Sequence, residues 1–277
     1  MPTLRTDDGV SISYKTSGPG PRNVLFMHGW GGSAAFWDEM LKHADLAGLR
    51  AITTSFRGHG DSEKVTAGYT LDRFAKDIFA VADYTEADEF VLVGFSMSGK
   101  YAQYIALAHP DRVRGLILIA PIGAGEFPLP VETARTFCEA VGSRERVLEA
   151  FAPTIKVPIK AEVMETYLRD FIRIPGVALE ETMNMFCTTS FADRVKAIGV
   201  PTLVIGGAGD PFVPPDYLRK ELIERIPRSR LVVLPCGHHV PMEMPAETAA
   251  LLTAFLAGFG ESTSASPTRP RGSEGLN

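Results

Sequence analysis

Short apolar runs alternate along the chain with stretches whose apolar positions recur at helical spacing. Val24-Leu25-Phe26-Met27, Phe90-Val91-Leu92-Val93, Leu116-Ile117-Leu118-Ile119, Thr202-Leu203-Val204-Ile205 and Leu231-Val232-Val233-Leu234 read as buried strands, with Arg50 to Ser55 as another. Val10 to Thr16 alternates polar and apolar residues after Asp8-Gly9, as an edge hairpin strand does. Leu71 to Tyr84 sets Leu71, Phe74, Ile78 and Val81 on one helical face. Phe36 to Ala47 also has helical spacing, Ser98 to His109 is a helix stopped by Pro110, and Ala246 to Phe259 closes the series. Strands that alternate with helices predict an α/β protein with a mostly parallel sheet covered on both faces.

One stretch breaks the alternation. From Gly123 to Arg194 no buried strand is apparent, only helical segments around Glu132–Val141, Arg144–Phe151, Ala161–Ile172 and Leu179–Phe186. A helical insertion between two strands of an open sheet lies over the strands' carboxyl ends, where such sheets bind ligands. The expected organisation is therefore a core from 1–122 and 195–260, a helical cap from 123–194, and a tail. That tail, 261–277, is rich in Ser, Thr, Pro and Gly, has no periodic apolar face, and is expected to be disordered.

Composition narrows the partners. The chain has 277 residues and a net charge of −5, without a basic block, which excludes nucleic acid and anionic membrane surfaces as expected partners. The first residues, Met1 to Asp8, carry no apolar signal-peptide core, and no run is long enough to span a bilayer. Cys138, Cys187 and Cys236 are odd in number and have no metal-ligand spacing. They read as reduced thiols in a cytoplasmic protein. A homo-oligomer is compatible with all of this.

Gly94-Phe95-Ser96-Met97-Ser98-Gly99 sits between a strand and a helix. A small residue two before the serine and another two after it let the backbone turn sharply and put the Ser96 hydroxyl over a helix N-terminus. Glycine is more usual where Ser98 stands.

A serine hydroxyl needs a base, and the base needs a partner that fixes its tautomer. Of the six histidines, His43 and His109 read as solvated or capping. His59, in a glycine-rich turn, and His28, at a strand end, read as structural. His238 follows Gly237 on the loop after the last strand and is the candidate base; His239 lines the pocket or faces solvent. Asp210 follows the Thr202–Ile205 strand in Gly206-Gly207-Ala208-Gly209-Asp210, although aspartate also favours plain turns. Two backbone donors are expected for an oxyanion: the Met97 N–H, and the Trp30 N–H within His28-Gly29-Trp30-Gly31-Gly32. The pocket is expected to use Trp30, Phe95, Phe127, Phe186, His239 and Val240. The wider set of Phe137, Phe151, Met164, Phe171 and Met185 would serve equally as helical core.

With these residues in place the chain resembles the α/β-hydrolase superfamily. The matches are collinear: His28-Gly29-Trp30, Arg57-Gly58-His59-Gly60-Asp61-Ser62, Gly94-Phe95-Ser96-Met97-Ser98, and Gly237-His238 with Glu243-x-Pro245. The strings Gly-Phe-Ser-Met and His-Gly-Trp are similar to the branch of arylesterases and cofactor-free perhydrolases, the non-haem haloperoxidases. The resemblance implies an α/β-hydrolase fold, a Ser96–His238–Asp210 triad in that chain order, and a Trp30–Met97 oxyanion hole. Hydrolysis of carboxylic esters or lactones through an acyl-enzyme follows, with perhydrolysis as a side activity, on a small-molecule substrate with an apolar group. One alternative is hydrolysis of a C–C bond in a ring-cleavage diketone, whose carboxylate would want a cation from Arg135, Arg144, Arg146, Lys156, Lys160, Arg169 or Arg173. The other is a non-catalytic small-molecule receptor. Neither a metal nor an organic cofactor is expected, since no ligand cluster or phosphate-binding glycine loop occurs.

Overall fold

The computed structural model describes residues 1–140 and 142–259. Its centre is an eight-stranded sheet built from β1 (Thr3–Arg5), β2 (Ser11–Ser17), β3 (Arg22–Met27), β4 (Leu49–Thr54), β5 (Phe90–Phe95), β6 (Val113–Ile119), β7 (Thr202–Gly207) and β8 (Ser229–Leu234). The strand order is β1-β2-β4-β3-β5-β6-β7-β8. β1 and β2 pair antiparallel at one edge, and β3 to β8 run parallel. The parallel strands are continuous apolar runs because helices cover both faces. Val24 to Met27 and Leu116 to Ile119 are wholly buried.

β3 pairs with β4 on one side and with β5 on the other. The chain therefore reverses its direction of winding at β3, and the loops after β3 and β5 part there to leave a crevice. The residues after both strands, His28–Gly32 and Ser96–Met97, consequently face one another at the same rim.

The helices are α1 (Asp38–Leu41), α2 (Leu71–Tyr84), α3 (Met97–Ala108), α4 (Val131–Glu139), α5 (Arg144–Phe151), α6 (Ala161–Phe171), α7 (Gly176–Thr188), α8 (Pro215–Leu218), α9 (Val240–Glu243) and α10 (Pro245–Ala257). α2 begins at a Thr70 cap, whose hydroxyl accepts from the Arg73 N–H, and buries the expected face of Leu71, Phe74, Ile78 and Val81. α4 to α7 all lie between β6 and β7.

The helix expected over Phe36–Ala47 is cut short. A 3-10 turn over Ala34–Trp37 leads into α1, which stops at Leu41. Phe36, Trp37, Met40 and Leu41 are buried, and the next residues offer little apolar surface to bury. The Asp45 carboxylate instead accepts from the Ala47 N–H, a local turn that competes with helix. His43 is left outside the helix, 3.8 Å from Glu39. β1 was not anticipated, since three residues are too few to show a period. The tail from 261 onward, where disorder was expected, lies outside the described residues, as do the side chains of Arg135 and Cys138.

Candidate active site

Ser96 stands between β5 and α3 with φ 52° and ψ −116°. That left-handed backbone is strained for a residue with a side chain, at a cost of about 1–3 kcal/mol. The surroundings hold it there. The Ser96 N–H donates to Ile119 O at 2.9 Å, and its carbonyl accepts from the Gly99 and Ile122 N–H groups at 2.9 and 3.0 Å. A Cβ on Gly94 would come within 2.5 Å of Ser98 O, so only glycine fits that position.

Ser98 is wholly buried. Its hydroxyl accepts from the Phe95 N–H at 2.9 Å and donates to Met27 O at 2.7 Å. It thereby stitches the turn to the end of β3, a contact a glycine would not make.

Asp210 follows β7 and His238 follows β8, with β6 separating both from the Ser96 strand. His238 Nδ1 lies 2.7 Å from Asp210 Oδ2, and His238 Nε2 lies 2.9 Å from Ser96 Oγ. The carboxylate accepts from the protonated Nδ1, which leaves Nε2 bare to accept from the serine hydroxyl. Asp210 Oδ1 accepts from the Phe212 and Val213 N–H groups at 2.8 and 3.1 Å. Burial alone would raise the Asp210 carboxyl. The electrostatic attraction of His238, the hydrogen bond to it and the two amides outweigh it, and the carboxyl sits below its ordinary range.

The His238 loop is fastened from outside the core. The His238 N–H donates to Thr154 O at 2.8 Å. Glu243, buried in α9, accepts from the N–H groups of Gly237 and His239 on the loop and of Lys156 and Val157 on the insertion, at 2.8 to 3.0 Å. A Cβ on Gly237 would lie 2.0 Å from Thr154 O, so the close approach requires glycine.

The loop after β3 comes up against the serine turn: a Cβ on Gly29 would be 2.7 Å from the Phe95 ring and 3.3 Å from Ser96 Cβ. Among the described residues, neither the Trp30 nor the Met97 backbone N–H finds a backbone acceptor. The Trp30 indole N–H donates to Leu179 O in α7 at 2.9 Å, and its ring packs edge-on against Phe137 and Phe171.

Over Ser96 and His238 lies a cleft of about 540 Å³, counting its open mouth. That size suits a small molecule. The core contributes Trp30, Phe95, Ile122, Phe212, Val213 and His239, and the insertion side contributes Phe127, Leu129, Phe137, Phe151, Tyr167, Met183 and Phe186. The wall is almost wholly apolar, and among the described residues no arginine or lysine lines it. The arrangement can hold a neutral, partly apolar molecule against an activated hydroxyl.

Comparison with known proteins agrees with this geometry. The Alpha/beta hydrolase family model matches residues 24–251. A non-heme haloperoxidase of Rhodococcus erythropolis is 30% identical over 280 residues, covering 95% of this chain and all of that one. The chain belongs to the alpha/beta hydrolase family. A bifunctional esterase/perhydrolase of Acinetobacter calcoaceticus is 27% identical, covering 94% of this chain and 99% of its own length. Among solved structures, an esterase from Exiguobacterium antarcticum superposes with a TM-score of 0.82 at 21% identity, covering 92% of this chain and 98% of that one, which bears on the fold.

In this alpha/beta hydrolase, His238 lies within hydrogen-bond distance of both Ser96 and Asp210, and Trp30, Phe95, Phe127, Phe186 and His239 line the cleft. Val240 does not: as the first residue of α9 it is wholly buried beneath the loop, away from the lining. Met164, Phe171 and Met185 are likewise not in the wall, and Phe171 instead backs Trp30. His28 and His59 are structural. His28 Nε2 accepts from the Phe56 N–H at 3.1 Å, and His59 Nδ1 lies 3.0 Å from Arg57 O. His109 ends α3 against the Phe79 ring.

Two residues were missed. Glu243 was visible only as part of a motif. Lys100 left one signal, a lysine one turn after the serine in an otherwise uncharged helix. It is wholly buried and donates to the carbonyls of Gly125, Phe186 and Thr189 at 2.6 to 2.7 Å.

No helix among the described residues is long and apolar enough to cross a membrane. Cys187 and Cys236 carry free thiols, and burial pushes the Cys236 thiol up to about 12.

Proposed function

We propose that this chain hydrolyses carboxylic esters and lactones through an acyl-enzyme on Ser96. The observation that carries the proposal is the unbroken Asp210–His238–Ser96 relay, at 2.7 and 2.9 Å, opening onto an apolar cleft. His238 takes the Ser96 proton as Oγ attacks the substrate carbonyl, then gives it to the leaving oxygen. Asp210 keeps the imidazole in the needed tautomer and balances its transient charge. The Trp30 and Met97 N–H groups receive the oxyanion, each for about 2.7–4 kcal/mol of transition-state stabilisation. Water, activated by His238, then releases the acid. Helices α4 to α7 act as a cap that keeps bulk water from the acyl-enzyme. The names of the Rhodococcus and Acinetobacter relatives support a side reaction in which hydrogen peroxide replaces that water: its oxygen takes the acyl group as a peracid, and Ser96 regains its proton.

Fluorophosphonate labelling and a panel of p-nitrophenyl esters of graded chain length and lactones test the proposal. Wild-type protein should label and turn over, and Ser96→Ala should do neither. An unlabelled wild type would instead favour a receptor with the same pocket. A ring-cleavage diketone belongs in the panel, but among the described residues the cleft offers its carboxylate no cation. Four cationic side chains of the insertion are paired elsewhere: Arg144 with Glu165, Lys160 with Glu39, Arg169 with Asp170 and Arg173 with Asp61. The partner is thus a small neutral molecule with an apolar group. The free thiols favour a cytoplasmic setting.

A further inference from the structure

The cleft wall holds an imidazole that the proposed mechanism does not use. His239 is 2% exposed, lines the cleft, and neither of its ring nitrogens has a hydrogen-bond partner. Its ring sits among aromatic rings of the same wall, with centroids 5.3 Å from Phe151, 5.8 Å from Tyr167 and 6.1 Å from Phe95. Only its backbone is anchored, through the N–H to Glu243. A buried imidazole whose nitrogens both lack a protein partner is unfavourable and calls for an explanation. A phenylalanine or leucine would pack as well among these rings at no such cost.

We propose that His239 is a specificity residue that hydrogen-bonds an uncharged oxygen, a hydroxyl or keto group, on the acyl part of the substrate. This rests on the ester-hydrolase proposal. The placement sets the distance: the His239 ring centroid is 5.6 Å from that of His238, so the oxygen lies a few bonds from the scissile carbonyl. The placement also favours the acyl side. Tyr167, the ring neighbour of His239, donates to Trp30 O at 3.3 Å, and so flanks the loop proposed to receive the carbonyl oxygen. Burial and the neighbouring His238 hold the His239 imidazole down to about 3, so it is neutral at ordinary pH. A neutral ring offers one N–H donor and one bare nitrogen. It suits a hydroxyl, which can use either, and gives a carboxylate no counter-charge. Both nitrogens are sealed by their ring neighbours in the unliganded cleft, so the substrate must part those side chains to reach them. A site built to hydrogen-bond a substrate group discriminates strongly against the analogue that lacks it.

The test uses a matched pair, p-nitrophenyl 3-hydroxybutanoate and p-nitrophenyl 3-methylbutanoate, which differ by a hydroxyl in place of a methyl. The ratio of their kcat/KM values should fall about tenfold or more in His239→Leu, and His239→Gln, which restores a donor and an acceptor, should recover part of it. A ratio equal in wild type and His239→Leu, or an equal loss on both esters, would overturn the proposal, the latter because a merely structural histidine would do the same. A second measurement does not depend on turnover. In Ser96→Ala, binding of 4-hydroxypentan-2-one against 4-methylpentan-2-one, followed by ligand-observed NMR, should lose its preference for the hydroxyketone when His239→Leu is added. That loss in a wild type that does not hydrolyse esters would remove the hydrolase proposal and leave the role of His239 standing. Ser96-dependent hydrolysis with an unchanged preference would do the reverse.

Discussion

Lys100 donates from Nζ to the Phe186 carbonyl at 2.7 Å, which ties the helix that carries Ser96 to the last helix of the insertion. Gly125 O and Thr189 O take its other two protons. Burial lowers the ammonium only to about 8, so all three donors are present at neutral pH. No carboxylate accepts from it. Its partners are carbonyls at both ends of the insertion, and this single side chain gathers them over the serine turn. Lys100→Met keeps the volume and strands three carbonyls, that of Phe186 buried and those of Gly125 and Thr189 partly buried. At about 1–3 kcal/mol for an unsatisfied buried group, partly relieved by local relaxation, the expected loss is about 2–4 kcal/mol of stability. Urea denaturation checks it, and a loss below about 1 kcal/mol would show that Lys100 does not hold the insertion in place.

Glu243 performs the equivalent task on the other side of the cleft. Its carboxylate is surrounded by the four N–H donors from the His238 loop and the insertion. Glu243→Gln removes the charge and turns an NH₂ group toward at least one of those donors, where two donors meet. Hydrogen bonds to charged groups contribute about 1.5–3 kcal/mol each, and part is retained through the remaining oxygen, so a loss of about 2–4 kcal/mol is expected. Because the loop carries His238, kcat should fall as well, by tenfold or more, with KM less affected. Steady-state kinetics at a temperature where the variant is fully folded separates the two effects.

The parts of this architecture that rest on local chemistry were legible in the chain. The span of α2 follows from one apolar stripe, and the serine turn follows from Gly94 and Ser98 between strand and helix. Asp210 and His238 could be placed because each lies on the loop after an apolar strand, and parallel strands share one carboxyl rim. Long-range packing was not legible. Phe137, Phe151 and Met185 have the same character in the sequence, yet the first two line the cleft and the third does not. Which face of each insertion helix turns inward depends on how four helices settle together, and no spacing within one helix encodes it. Val240 shows the same limit: one residue beyond His239, it turns under the loop because α9 begins there.

Acid should weaken the fold through histidines that are buried neutral. Burial holds His59 down from 6.5 to about 4, and His28, 5.2 Å away between ring centroids, is displaced in the same direction. The folded pKa lies below the unfolded one. Between about pH 6.5 and 4 the unfolded chain therefore takes up a proton that folded His59 refuses, and stability falls as the pH falls. It is fully present above that window, and the loss from His59 is complete below it, at about 3 kcal/mol. In His59→Gln the slope of unfolding free energy against pH should shrink by close to one proton within the window. Urea midpoints taken from pH 7 to 4.5 measure it, and identical slopes would assign the acid sensitivity elsewhere.

Asp210→Asn tests the tautomer argument with almost no change in shape. Asp210 Oδ1 accepts from two backbone N–H groups, which would hold the amide oxygen of asparagine in the same place. The NH₂ group must then face His238 Nδ1, now 2.7 Å from a carboxylate oxygen. Two donors cannot share that contact, so the imidazole moves its proton to Nε2. That nitrogen faces Ser96 Oγ at 2.9 Å and, once protonated, has no lone pair to accept the serine proton. The expected result is a loss of about 10⁴-fold in kcat at neutral pH with folding intact. Raising the pH should recover part of the rate by deprotonating the serine–imidazole pair directly. A variant that keeps more than a tenth of wild-type kcat would mean that Asp210 only positions the loop and that His238 selects its tautomer without it.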